Sequence, residues 1–467
     1  MLALVPALAL AFAATPPVLT LSDALSQARA KNLDVKAAEA KLAEVRELTW
    51  KVSAAYLPQV SVGGGYQYNN VEASLSLPIA YYIEDVCPAA VRAASPSSCP
   101  KLDKNPPQQP VPMTGTSYVT GNPAAFSPAI PLFVHNQWAG QATLTQTLLA
   151  PALVAAMKSA SYGVDAAALG VDAARREVLF AVAQLYYAAV TAREAISVQQ
   201  KLEDANAAHE KDAKARVDAG ALPRMALLRA RIDRVKSEQD VTRARLGYAS
   251  VKSTLSALLD RPEDFDVAAP PEAAPLSLDG KDAAEVVRER PDVRAASLST
   301  EAADWGALAP KLSYLPNVGF AAHYDYANVE GFAGSNFTWN VGVGLSWTLF
   351  DGGLREANLR EAHARLDEAR SAERSTQLKA EDELRRAKLD LDGALANRTK
   401  ATEQLELARE NARLVQVNFN AGVATYIEVS DAACALAGAE LGSLSETLNA
   451  QLAALKLEKA AGAFDPK

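Results

Sequence analysis

The sequence predicts a mainly helical protein that also carries four amphipathic strands, built as two copies of one helix-strand-strand-helix-helix unit. Three observations predict it. First, Ala55-Tyr56-Leu57-Pro58-Gln59-Val60 is echoed by Ser313-Tyr314-Leu315-Pro316-Asn317-Val318. Leu144-Thr145-Gln146-Thr147-Leu148 is likewise echoed by Leu345-Ser346-Trp347-Thr348-Leu349, with Trp138 and Trp339 in the same register. Second, two segments, about 152–217 and 354–418, are filled with Ala, Leu, Glu, Arg and Gln and hold essentially no proline, the composition of strong helix formers. Third, four shorter segments alternate with period two. A repeat carrying the same order of elements makes each half one structural unit.

At the N-terminus, residues 1–14 read as a signal peptide: Leu2 to Ala14 is almost purely apolar and ends in the small-residue pattern Ala11-Phe12-Ala13. A buried N-terminal helix is the alternative. No Lys or Arg precedes the run, so a start upstream is expected, and no cysteine follows the cleavage pattern to take a lipid. Beyond residue 20 there is no uninterrupted apolar stretch of about 18 residues, the length a membrane-crossing helix needs, so any crossing falls to strands. The first unit is expected over 15–262, with strands at about 58–70 and 137–149, a loop at 71–135 and a helix-helix turn at 217–223. Residues 263–280 read as a linker. The second unit covers 281–467, with strands at about 316–327 and 337–350 and a turn at 418–425.

At 1.5 Å per residue each long helix spans on the order of 95 Å, far beyond an ordinary domain. Apolar positions such as Val178, Ala181, Leu185, Ala188 and Ala192 recur at three- and four-residue steps, the pattern of coiled coils, and the many alanines permit close approach. In the last strand Val341, Val343, Leu345, Trp347 and Leu349 form one face, while Thr338, Asn340, Gly342, Gly344, Ser346 and Thr348 form a small, polar one. Val318, Phe320, Ala322, Tyr324 and Tyr326, and Val60, Val62, Tyr66 and Tyr68, repeat it. A soluble sandwich alternates in the same way. The flanking aromatics favour a membrane: Tyr66, Tyr68, Trp138, Tyr324, Tyr326, Phe337 and Trp339 gather at one end of the strands and Tyr56, Tyr314, Trp347 and Phe350 at the other, as in interfacial girdles.

In lipid, strands must close into a barrel, and four cannot do so alone. A dimer with eight strands and a trimer with twelve both close, the second leaving a lumen. The paired units, their element order and the Ala-Gly turn motifs Asp218-Ala219-Gly220-Ala221-Leu222 and Asn420-Ala421-Gly422-Val423-Ala424 resemble the TolC-like outer-membrane efflux family across nearly the whole mature chain. The resemblance implies a homotrimer whose twelve strands form one barrel in the outer membrane, continued by a long periplasmic α-helical barrel. It also implies partners: a periplasmic adaptor, or membrane fusion protein, and an inner-membrane pump of the RND or ABC type.

Gly220 and Gly422 suit the left-handed end of a helix, so both turns can be plain caps. The resemblance makes Ala219, Gly220, Ala221 and Leu222, with Ala421, Gly422, Val423 and Ala424, the tips where the adaptor docks. Glu428 and Asp431 follow the second tip three residues apart, hence on one helical face, which alone is a solvated acidic face. In the family such a pair lines the pore constriction, where six carboxylates would favour cations and crowding would raise some of their pKa values. The family's closing latch is absent: Ala424, Phe419 and Ala226 stand where it has Arg, Tyr and Asp. Arg224 and Arg229 are candidates for other contacts, including one to Glu428. Cys87 and Cys99, twelve apart in the Pro-containing loop, suit a disulfide if exported; the loop is either a cross-linked surface lid or a variable insertion.

A net charge of -8 with dispersed Lys and Arg gives no field for nucleic acid. His135, His209, His323 and His363 are scattered, so no metal site is expected. Gly63-Gly64-Gly65 lies within strand alternation, not before a helix, and is not a phosphate loop. With no catalytic constellation and no cofactor motif, the expectation is an outer-membrane exit duct contacting lipid and conducting drugs, metals or other solutes, not an enzyme. Type I protein secretion and a non-conducting periplasmic coiled-coil scaffold are the alternatives.

Overall fold

The structure, a computed structural model, describes residues 17–75, 130–270, 282–330 and 335–464. The signal-peptide stretch 1–14, Cys87, Cys99, the bulk of the 71–135 loop and the end of the linker lie outside the described residues. The chain divides into a helical unit (up to residue 53, 151–314 and from 350) and a strand unit (54–150 and 315–349).

In the helical unit a short strand, β1 (Val18–Leu19), leads into α1 (Leu21–Lys31) and α2 (Leu33–Ala54). The first long hairpin is α3 (Pro151–Asp218) with α4 (Arg224–Leu259), and the second is α7 (Leu354–Asn420) with α8 (Tyr426–Ala460). Between them come α5 (Ala283–Arg288) and α6 (Pro291–Leu312). The expected linker begins with ordered structure: β6 (Asp266–Val267) pairs in parallel with β1. Tyr186 explains why that small pairing persists. Its side chain is fully buried on α3, and its hydroxyl lies 2.8 Å from the carbonyl oxygens of both Leu19 and Ala268, so a large ring is desolvated without orphaning its polar atom. Leu179, Val182, Ala183 and Val190 of α3 continue this core against Leu255 and Leu259 of α4 and Phe265. A second core joins Leu384, Ala387 and Leu391 of α7 to Ala453, Ala454 and Leu457 of α8. Beside it, the buried Arg290 is bonded to Asp292, Glu383 and the Ala460 carbonyl, which compensates the burial of its charge.

The two repeats differ in one respect. α6 packs along both α3 and α7, close enough for Ser159 Oγ to donate to the Ala302 carbonyl. Its counterpart α2 buries only Val35 of its 22 residues and leaves Leu33, Leu48 and Trp50 exposed.

The hairpin turns are set by backbone conformation. Gly220 and Gly422 have φ of 75° and 77°, and the following amides reach back, Ala221 N–H to the Arg216 carbonyl and Val423 N–H to the Asn418 carbonyl. Nothing lies within 4 Å of a Cβ added at either glycine, so a substitution there meets backbone strain alone. Gly422→Ala is expected to cost about 1 kcal/mol and Gly422→Asn less, checked by thermal unfolding in detergent.

The strand unit holds an antiparallel four-stranded sheet, ordered β2 (Gln59–Tyr68), β5 (Asn136–Leu149), β7 (Asn317–Ala327), β8 (Phe337–Ser346). A hairpin of β3 (Ala73–Leu75) and β4 (Ile130–Phe133) extends into the stretch expected to be loop. β8 stops at Ser346, short of the expected residue 350. Ser346 faces Asn317, the first residue of β7, and the residue before that is Pro316, which has no N–H to continue the ladder.

Candidate functional site

Two places in the molecule carry chemistry beyond packing. The first is the sheet itself. Side chains of directly paired residues share a face, and the register aligns the alternation of all four strands. Val60, Val62 and Tyr66 of β2 pair with Leu144, Ala142 and Trp138 of β5. Val318, Phe320, Ala322, Tyr324 and Tyr326 of β7 pair with Leu345, Val343, Val341, Trp339 and Phe337 of β8. This apolar face is open, with Val62 80%, Trp339 67% and Val343 66% exposed. The other face is polar or small: Ser61 pairs with Thr143, Thr143 with His323 and His323 with Asn340, while Gln141 pairs with Asp325 and Asp325 with Thr338. Thr143 Oγ1 and His323 Nδ1 are 3.3 Å apart. At one end the aromatics interlock, Tyr66 against Trp138 with ring centroids 4.6 Å apart and Tyr324 stacked on Phe337 at 6.3 Å.

A sandwich would cover the apolar face with a second sheet, but the other sheets among the described residues have two strands each. Among the described residues β2 and β8 each have one neighbour, so both long edges are unpaired there.

The second place is where the helical hairpins turn. Ala219 to Leu222 and Ala421 to Ala424 form the two turns, with Val423 78% exposed. Glu428 and Asp431 are both exposed, one turn apart at the start of α8. Glu428 has a local task that the sequence reading missed. Thr425 is the N-cap of α8, and the pair forms a reciprocal capping box: the Glu428 carboxylate accepts from the Thr425 N–H at 2.6 Å and from its hydroxyl at 3.0 Å. Those two bonds, the backbone one first, hold the Glu428 carboxyl below the usual range.

The expected Arg229 contact to Glu428 is replaced by another. Arg229 Nε pairs with Asp233 Oδ1 at 3.5 Å on its own helix, and Asp233 Oδ2 accepts from Ser430 Oγ at 2.9 Å, joining α4 to α8. One turn nearer the tip, Tyr426 packs edge-on against His209 of α3 at 5.9 Å, in an apolar cluster with Ala213, Ala230, Phe419 and Val429. Arg216 of α3 lies 4.8 Å over the Phe419 ring, a cation-π contact. Asp233, Ser430 and His209 had no recognisable motif, since Ser430 and Asp233 are 197 positions apart in the sequence.

Burial holds the His209 pKa below its ordinary 6.5, against a smaller upward pull from Asp212. The unfolded chain therefore binds this proton more readily than the folded one, and stability falls as pH drops below about 6.5. His209→Gln is expected to flatten that part of the stability curve, read from unfolding midpoints between pH 7.5 and 5.

Among the described residues no group of three or more His, Cys, Asp or Glu is placed to hold a metal. His135 instead pairs with Glu72 at 2.7 Å beside the β3–β4 hairpin, and Cys434 is a free, exposed thiol.

Comparison with known proteins agrees with this geometry. Residues 284–463 match the family described as outer membrane efflux protein. Protein CyaE of Bordetella pertussis is 28% identical over 264 residues, 52% of this chain and 54% of that one. Probable outer membrane lipoprotein SilC of Salmonella typhimurium is 24% identical over 201 residues, 41% and 42% of the two chains. The matched stretches thus span about half, or less, of each relative's length. The fold is similar to that of the Campylobacter jejuni CmeC outer membrane channel, with a TM-score of 0.73 at 14% identity over 95% of this chain and 85% of that one. Helical hairpins, a two-faced sheet with open edges and a second half that matches the outer membrane efflux protein family converge on the fold of the outer membrane channels to which this chain is similar.

Proposed function

We propose that the protein is one subunit of a homotrimeric exit duct that passively conducts solutes delivered by an inner-membrane pump through a periplasmic adaptor. The observation that carries this reading is the four-stranded sheet whose apolar face is exposed and whose edge strands β2 and β8 each lack a second neighbour among the described residues. Three copies supply twelve strands, pairing β8 of one with β2 of the next, and a barrel of that size encloses a lumen lined by the polar face. The helices also call for a neighbouring copy. α6 sits between α3 and α7, whereas α2, its equivalent in the repeat, has an exposed apolar side. The missing neighbour is α7 of a second copy, whose Leu378 and Leu389 are exposed.

In this assembly the turns Ala219–Leu222 and Ala421–Ala424 are the adaptor's docking points, and Glu428 and Asp431 from three copies give six carboxylates around the constriction. The pump, of RND or ABC type, supplies the energy. Drugs, metals or other solutes and secreted proteins all remain candidate cargo. The test is single-channel recording of the purified protein in planar bilayers, with chemical cross-linking of the same sample. Trimeric cross-links and discrete conductance steps support the duct; a folded, membrane-inserted protein that cross-links no further than dimer overturns the trimer, and one that never conducts points to a scaffold.

A further inference from the structure

Charged side chains are almost absent from the sheet. β2, β5, β7 and β8 contain no Lys, Arg or Glu, and their one carboxylate is Asp325, on β7. The register puts it on the polar face, paired with Gln141 of β5 and Thr338 of β8, two residues along from His323. His323 is engaged by Thr143 at 3.3 Å, whereas Asp325 is exposed and no cation pairs with it among the described residues. The glycine run of β2 leaves room in front of it. Gly63 and Gly65 put no side chain on this face, and a recess of about 680 Å³ is lined by Gly63, Gly64, Gly65, Gln141, Asp325 and Glu330, the last from the loop after β7. Two carboxylates therefore face open polar space that no Lys or Arg of the strands neutralises.

We propose that Asp325, with Glu330 lining the same recess, is a selectivity-determining residue inside the barrel, a charge station that favours cationic solutes and acts separately from Glu428 and Asp431. Its role rests on the duct reading, in which three copies bring three such stations to one level of the lumen. The strands supply a ring of three because the repeat is broken there. Aligning Pro58 with Pro316 puts Gln67 where β7 has Asp325, and Gly65 where it has His323. The width of the barrel sets how the ring acts. Twelve strands spaced about 4.8 Å apart and tilted by about 40° enclose a wall of about 12 Å radius, so a solute on the axis passes far from every carboxylate. The field spans the lumen when the Debye length exceeds that radius, as at about 10 mM salt where it is about 30 Å, and it hugs the wall at about 1 M, where it is about 3 Å. A narrow constriction keeps its preference at both salts, while a wide charged wall shows its own at the lower one alone.

The test is the reversal potential of the full-length protein in planar bilayers, under small salt gradients centred on about 10 mM and about 1 M. Asp325→Asn is made with the tips neutralised by Glu428→Gln and Asp431→Asn, and compared with the tip variant alone. Cation preference at the lower salt should fall roughly threefold with Asp325→Asn, and the two proteins should agree at the higher salt. Adding Gln67→Glu returns a carboxylate to the same face from the first repeat and should restore the preference, a rescue that a structural role for Asp325 would not allow. Equal preference at low salt with and without Asp325, or no recovery with Gln67→Glu, overturns the station and leaves the duct intact. An inserted protein that passes no current in any variant overturns the duct reading and the station with it.

Discussion

Val343→Arg is expected to remove most of the protein from the outer-membrane fraction and to abolish the trimeric cross-links of the proposed assembly. Val343 lies midway along the apolar face of β8, 66% exposed, between Val341 and Leu345 and paired with Phe320. A cation at the middle of a lipid-facing strand costs about 2–4 kcal/mol per copy, and a symmetric assembly incurs that cost in every copy at once. The neighbouring Gly342→Arg provides the internal comparison. Gly342 pairs with Ala321 on the polar face, with nothing within 4 Å of an added Cβ. That protein should insert and assemble, and show altered conductance. Membrane fractionation of the two variants side by side decides the assignment: normal insertion of Val343→Arg would sink the lipid-facing role of this surface.

The second large effect is expected at the tips. Glu428→Gln with Asp431→Asn should lower the cation-to-anion permeability ratio several-fold and weaken block by trivalent cations. Gln is chosen over Ala because Glu428 closes the capping box with Thr425. Truncating a cap costs about 1 kcal/mol and would mix a frayed helix with the loss of charge. Gln keeps an acceptor for the Thr425 donors and removes only the charge. The pH dependence carries its own signature. Because the Thr425 bonds hold the Glu428 carboxyl below the ordinary 4.5, its negative charge persists to more acidic pH than that of a free glutamate. Selectivity of the wild type should therefore survive mild acidification, while unchanged selectivity in the double variant would remove these residues from the constriction.

The parts of the fold readable from the sequence were those governed by local periodicity. The alternation at Val341, Val343 and Leu345 reports a face because a strand repeats every two residues, and the glycines at 220 and 422 report left-handed backbone because other residues avoid it. The end of β8 was not readable: Trp347 and Leu349 continue the alternation, and only the partner strand's proline cuts the ladder at Ser346. Glu428 shows two readings of one motif. Thr425-x-x-Glu428 is a capping box by its spacing, yet an acidic pair after a turn drew attention to charge instead. The Asp233–Ser430 contact joins separate hairpins, and nothing in either local sequence marks the other as its partner.

The open edges of β2 and β8 also bear on how the protein comes into being. A single newly made chain presents two unsatisfied ladders and a bare apolar sheet, the features that invite misjoining with any other extended chain. In the proposed trimer, finishing its own fold and finding its siblings become one event, so yield should depend steeply on how many copies arrive together. A subunit produced in isolation is then a clearance problem for the envelope's proteases and chaperones, whatever its intrinsic helical stability.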